Sequence, residues 1–282
     1  MSQVFFVKKD SMKNITKALE EIEIKKFSNK KVLVKLHMGE ENNKWYVKPN
    51  IVKIVVDELK KIKSSPFLFD TVVLYRGSRD SKEKYMQVAE KHGFTNIGDV
   101  VIGDGGERVK MEDGGIKFSY EVADDIYKAK DIFAVSHAKG HIITGFGGAI
   151  KNFGMGGVSK KTKFKMHAAS TLKRFLTFGT SKTVFDKILS LGAKACITGK
   201  NVLYMNVLLD ITKHCDCVNE ALPIICKDMG FLFSDDIVAI DAAAVEMIEK
   251  TAGKFFEKDP WEHIRFAEKI GMGSMKYKLV EI

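Results

Sequence analysis

Short apolar, β-rich runs alternate with segments of helical period along most of this chain, and that alternation limits its fold more than any other feature. Val4–Val7 reads as a strand, followed by a helix from Ser11, a candidate N-cap, to Ile24. Val32–His37 is a second strand. Pro49 then suits the first turn of a helix in which IVKIVVDELKKI repeats apolar residues at helical spacing. Thr71–Tyr75 reads as a third strand, RGSRDS punctuates, and Lys82–His92 is a helix closed by Gly93. Val100–Ile102 and Asp131–Ser136 complete the strands of the first half. Strands this short and apolar, with helices between them, predict an α/β fold: mostly parallel sheet layers flanked by helices, Rossmann-like.

The second half repeats the alternation more loosely. It holds a helix within Thr171–Leu191, a strand at Val202–Val207, short buried stretches at Phe231–Phe233 and Val238–Ile240, and helices over Asp241–Thr251 and Pro260–Ile270. Gly103–Gly115 is rich in glycine and charge and reads as a loop or hairpin. There is no fixed repeat, no low-complexity linker and no sharp boundary. The chain is therefore expected to be one unit over 1–282, with two α/β subdomains near 1–170 and 171–282 as the alternative.

Composition removes several classes of function. Of 282 residues, 45% are hydrophobic, which excludes disorder as the main state. Four cysteines cannot staple a fold of this size and fit a reducing compartment. The four-residue apolar run near the N-terminus falls far short of a signal-peptide core. No apolar run approaches the roughly 18 residues of a membrane span, so a cytoplasmic protein is expected. The net charge of +10 invites a nucleic-acid reading, but pairs such as Lys8–Lys9 and Lys60–Lys61 are scattered as on solvated faces. With no stacking motif or recognition module, nucleic acid is not the expected partner.

Ser136–Ser170 is the informative stretch. It carries seven of the 23 glycines between Gly140 and Gly157, and three of the seven histidines. It follows a strand, and parallel sheets bind ligands beyond the carboxyl ends of their strands. Gly145, Gly147, Gly148, Gly154, Gly156 and Gly157, with Lys151, are candidates for holding a cofactor, with ligand-free tight turns as the other reading. His137, His141 and Lys151 are candidates for proton transfer or covalent anchoring. Lys160, Lys161, Lys163 and Lys165 add a positive field suited to phosphate or carboxylate, unless they are simply a solvated face.

Cys215 and Cys217 are two apart and can share one soft metal, with His214 or Asp216 as a further donor. Cys196 and Cys226 read as small core residues. Asp235 and Asp236 are expected to cap the next helix. Asp241 stands between capping a helix and binding a cation or orienting a histidine.

GHIITGFGGAIKNFGMGG, DITKHCDC, SDDIVAIDAA and AEKIGMGSMKYKL together resemble the family catalogued as domain of unknown function 362, over nearly the whole chain. Many relatives carry a ferredoxin-like insert with two four-iron four-sulfur clusters about where His167–Leu172 falls. No CxxCxxC run exists here, so those clusters do not carry over, and Ile237 replaces a usual proline. A more distant similarity is to the nickel-pincer lactate racemases. His141, the turn Gly145–Gly148, Lys151 ten residues after His141 and His167 sixteen further on match their spacing. That resemblance implies Lys151 as cofactor anchor, His167 as metal ligand and His141 as acid or base. The racemase Asp-His-Thr-Arg segment is missing and Ile150 replaces its arginine, so a shared fold with a different ligand is expected.

The resulting expectation is an enzyme dependent on a transition metal (Ni, Fe or Zn) or cofactor. Its work would be redox or proton-transfer chemistry of racemase, epimerase or dehydrogenase type on a small anionic metabolite. His167, Cys215 and Cys217 are the candidate metal ligands, and homodimerisation is left open. The alternative is an iron–sulfur or metal-binding electron-transfer or cofactor-delivery protein without catalysis of its own. Proximity of the cysteine pair to the histidine segment would make them one site.

Overall fold

The computed structural model describes residues 1–176, 183–220 and 222–282, and of residues 170 and 172–176 the backbone alone. The elements run β1 (Ser2–Lys8), α1 (Ile15–Glu21), β2 (Lys31–Lys35), α2 (Pro49–Lys61), β3 (Ser65–Thr71), α3 (Lys82–Lys91) and β4 (Val100–Gly103). There follow β5 (Gly106–Asp113), β6 (Ile116–Ala123), α4 (Asp124–Lys128), β7 (Asp131–His137), β8 (Lys139–His141), β9 (Gly145–Gly147), α5 (Ala149–Gly156) and α6 (Lys160–Leu176). Last come α7 (Val184–Ile197), β10 (Asn201–Leu208), β11 (Gly230–Ser234), α8 (Ile237–Ala252), α9 (Glu262–Lys269) and β12 (Tyr277–Glu281).

An eight-stranded sheet in the order β12-β1-β11-β10-β7-β2-β3-β4 forms the centre, and within it only β11 runs against the rest. β7 is buried at every position, which is why DIFAVSH reads as a continuous apolar run. Alternation along each strand feeds two cores. Val32 and Val34 pack with α1, α2 and α3 on one face, while Leu33, Ile132 and Ala134 pack with α5, α7 and α8 on the other. Strands from 1–170 and 171–282 share this sheet, since β7 pairs with both β2 and β10. Among the described residues, no helix is long and apolar enough to cross a membrane.

Several local readings shift for physical reasons. The strand expected at Thr71–Tyr75 lies at Ser65–Thr71 instead; Val73 and Leu74 are apolar because they wall a cavity, not because they sit in the sheet. The Gly103–Gly115 connector is a hairpin, with Gly114 and Gly115 at φ +57° and +79° in its tight turn between paired Asp113 and Ile116. Val238–Ile240 belongs to α8, whose N-cap Asp236 accepts from the Val238 and Ala239 amides. Of the helix expected within Thr171–Leu191, residues 177–182 lie outside the described residues, and α7 supplies the part from Val184. The position of the family's ferredoxin-like insert lies within α6.

One topological feature places the site. The connection from β2 leads to β3 on one side, whereas the chain from β7 leads to β10 on the other. The carboxyl ends of β2 and β7 thus flank a switch point, where an open parallel sheet leaves a crevice.

Candidate functional site

Polar side chains converge on that crevice from the ends of neighbouring strands. His37 follows β2, Asp70 and Thr71 end β3, and His137 ends β7. Lys139 and His141 lie in β8, Lys151 in α5, and Cys215, Asp216 and Cys217 in the loop after β10.

Asp216 ties these segments together. Its buried carboxylate accepts from Lys139 Nζ at 2.8 Å and lies 3.4 Å from the Nδ1 atoms of both His37 and His137. Burial disfavours its charge, but His37, Lys139 and the His137 hydrogen bond outweigh that and hold it well below the usual carboxylate range. His137 Nε2 is 2.7 Å from the Leu209 carbonyl, so both of its ring nitrogens are engaged. His214 turns instead toward Glu257, 3.8 Å away.

His141, Cys215 and Cys217 form a second cluster beside the first. Their ligand atoms all lie within 4.8 Å of one another. The histidine segment and the cysteine pair are therefore brought together. Lys151 Nζ donates to Cys215 Sγ at 3.4 Å. A hydrogen bond from the Cys217 thiol holds Cys215 well below the usual thiol range despite burial, and Lys151 adds to this. Burial opposes the charge on Lys151, yet Cys215, Cys217 and Asp216 push it up to about 12. Burial, then Lys151 and Lys139, keep His141 well below the ordinary imidazole value, so it is neutral at pH 7.

The surroundings of His141 bear on its tautomer. Its Nδ1 lies 2.9 Å from Thr144 Oγ1, which donates its own proton to the Phe146 carbonyl at 2.7 Å. The Ile143 and Thr144 amides approach the same nitrogen at 3.3 and 3.2 Å. Nδ1 accepts these two amide hydrogen bonds, which in the neutral ring places the proton on Nε2.

A cavity of about 290 Å³ opens against this cluster. His141, Lys151 and Cys217 line it, together with His37, Arg79, Lys163 and His167. A smaller polar chamber of about 60 Å³ adjoins it, lined by His137, Lys139, Lys151 and Asp216. His167 thus lines the same cavity as Cys217 but lies outside the three-residue donor set. Its ring lies 4.9 Å from that of Phe185, and burial followed by Lys151 lowers its pKa. Helical period splits the lysine run on α6: Lys161 and Lys165 are exposed, and Lys163 is buried and turned inward.

The glycines divide in the same way. Gly147, Gly148 and Gly156 line the cavities. Gly145, Gly154 and Gly157 are packing positions: a Cβ on Gly145 would strike the Lys258–Asp259 backbone, on Gly154 the Leu189 carbonyl, and on Gly157 the Cys196 sulfur at 2.5 Å. Asp241 resolves toward capping, but of another helix. From α8 its carboxylate accepts the Ala149 amide at 2.7 Å and the Ile150 amide at 2.9 Å, closing the N-terminus of α5. A Cβ on Gly148 would collide with that carboxylate, so this glycine makes room for Asp241 while also lining the smaller chamber.

Sequence reasoning missed His37, Lys35, Asp70, Tyr75 and Arg79. Arg79 is fully buried, and every N–H of its guanidinium has a partner in Glu40, His37, Tyr85 or Tyr75. Lys35 is likewise saturated by Asp70 at 2.8 Å, Asn152 at 2.7 Å and the Leu36 carbonyl. The available signal was a charged residue inside or ending an apolar strand, as in KVLVKLH and FLFDT. Cys196 and Cys226 are buried free thiols away from the donor set.

Among curated proteins none matches the sequence. The structure is similar to that of the lactate racemase apoprotein from Thermoanaerobacterium thermosaccharolyticum, with 14% identity and a TM-score of 0.48 over 74% of this chain and 50% of that one. It is also similar to a Thermotoga maritima structural-genomics protein, with 12% identity and a TM-score of 0.49 over 92% of this chain and 58% of the other. The chain therefore spans little more than half the length of these proteins. A family model described as domain of unknown function (DUF362) matches residues 32–246, three quarters of the sequence, and the chain belongs to that family.

Proposed function

We propose that this protein is a metal-dependent enzyme that moves a proton at a carbon of a small anionic metabolite, a racemase- or epimerase-type reaction. The observation that carries the reading is the grouping of His141, Cys215 and Cys217, three donors within 4.8 Å of one another, with His141 and Cys217 on the wall of a 290 Å³ cavity. Two sulfurs and an imidazole suit a borderline or soft ion such as zinc, nickel or iron. A divalent ion bound there would supply Lewis acidity toward an oxygen of the substrate.

The remaining roles belong to the chain's own side chains. Lys151 is hydrogen-bonded to Cys215, so we assign it to balancing thiolate charge and not to covalent anchoring of a cofactor. Asp216, through Lys139, His137 and His37, fixes the cysteine loop against the ends of β2 and β7. His167 faces the cavity from α6, neutral at pH 7, and is the group placed to accept and return the substrate proton.

The test is to purify the protein anaerobically, measure bound metal, and follow deuterium wash-in from D2O across a panel of small carboxylic acids. The reading predicts a stoichiometric transition metal, lost in Cys215→Ala and Cys217→Ala, and exchange that requires it. Metal without exchange on any acid would favour a metal-carrying or electron-transfer protein. Substoichiometric metal under all conditions would overturn both.

A further inference from the structure

The cavity beside the donor set is mostly apolar, walled by Val73, Leu74, Ile142, Ile143, Met155 and Phe185 among the described residues. Its polar groups are mostly spoken for. Arg79 has every N–H bonded within the protein, so it cannot hold a ligand without breaking a buried network. Lys163 differs. Its ammonium donates to Thr71 Oγ1 at 2.7 Å and to the Val72 carbonyl at 2.5 Å, and its remaining N–H has no protein partner among the described residues.

Local charge gives the same answer. Lys35, Arg79 and Lys163 are buried against Asp70 and Glu40, so whenever Lys163 is protonated one positive charge is uncompensated. Burying an unpaired ammonium is costly, and one bound anion would balance it. A phosphate group is the poorer candidate. Phosphates favour arrays of amides at a helix N-terminus, and the glycine-rich start of α5 is already closed by the Asp241 carboxylate. A carboxylate needs fewer donors and leaves the apolar wall to the rest of the molecule.

We infer that the cavity binds an amphipathic monocarboxylate, with the carboxylate on Lys163 Nζ and the hydrocarbon along Ile142, Ile143, Met155 and Phe185. The volume is about that of ten waters, enough for a chain of several carbons and not only for a two-carbon acid. This rests on reading the cavity as the substrate pocket, yet it does not require the metal. Burial pulls Lys163 down to about 7, with Asp70 opposing, so the amine is partly neutral at pH 7 and a bound carboxylate would favour its protonated form.

Calorimetric titration of metal-free and metal-loaded protein with acetate, butanoate, hexanoate, hexanol and inorganic phosphate tests it. Affinity is expected to rise about fourfold per added methylene, the equivalent of about 0.8 kcal/mol per buried CH2. Hexanoate should bind at least tenfold tighter than hexanol, and phosphate should not compete. Lys163→Met should abolish the preference for acid over alcohol while keeping the chain-length trend, and the exposed-site control Lys161→Met should change neither. If Lys163→Met does not fold, Lys163→Gln read against the same ligands replaces it. Equal binding of hexanoate and hexanol, tighter binding of phosphate, or an acid preference that survives loss of Lys163 would each overturn the inference. Carboxylate binding by a protein that takes up no metal would leave this inference standing and remove the metal reading alone.

Discussion

Replacing Asp241 by alanine should destabilise the fold and the site together, by an amount that depends on pH. The carboxylate accepts the Ala149 and Ile150 amides and Asn206 Nδ2, at 2.7, 2.9 and 2.8 Å. Leaving three buried donors unpaired costs about 1–3 kcal/mol each. Burial raises the Asp241 pKa to about 6 despite the hydrogen bonds from Ile150, Asn206 and Ala149. The native ionised group therefore carries a penalty of about 3 kcal/mol, which the substitution relieves. At mid-range the two effects leave a net loss of about 3 kcal/mol at pH 7.

The sign of the pH dependence follows from the same shift. A carboxyl with a raised folded pKa adds stability that is fully present below its unfolded pKa and lost as pH rises through about 6. The variant lacks that term, so the gap between wild type and Asp241→Ala should widen by roughly 1.4 kcal/mol on going from pH 7 to pH 5. Urea unfolding at both pH values measures this. A gap that is constant or narrows at pH 5 would refute the account of Asp241 as a desolvated cap. Because α5 carries Lys151, metal uptake should weaken in the same variant.

Three further substitutions separate structural from functional residues. Arg79→Met strips a buried Glu40 of its ion pair and should cost about 3–5 kcal/mol in urea unfolding; a loss under 1 kcal/mol would show that the network is not needed for folding. Gly148→Ala places a Cβ against the Asp241 carboxylate and should cost about 1–3 kcal/mol, and a neutral result would mean that α8 can retreat from α5. Cys196→Ala should lose about 1 kcal/mol with metal content unchanged by elemental analysis, since its sulfur packs beside the Phe153 carbonyl at 3.7 Å; loss of metal would place it in the site.

The sheet was legible because buried parallel strands leave continuous apolar runs, as DIFAVSH and VLYMNVL do. TVVLY shows the limit of that signal, since a cavity wall is apolar for the same reason as a strand and carries no separate mark. The candidate site was half legible. His141, Lys151, Cys215 and Cys217 announced themselves by residue type and spacing, and the structure groups them. Arg79, Asp70 and His37 did not, because their place depends on which strands become neighbours, and strand order is not written in local sequence. The glycines misled in part. Gly154 and Gly157 are small to let α5 pack against α7 and Cys196, and Gly148 to admit Asp241, so a pattern that resembles a ligand cradle is largely close helix packing.

X-ray absorption at the edge of the metal taken up by anaerobically purified protein tests the central claim most directly. The account predicts two sulfur ligands at about 2.3 Å and an imidazole nitrogen at about 2.0 Å. The sulfur shell should fall by one scatterer in either Cys215→Ala or Cys217→Ala, and the imidazole signal should disappear in His141→Ala. A shell of oxygen and nitrogen only, or a sulfur count untouched by the cysteine substitutions, would contradict it.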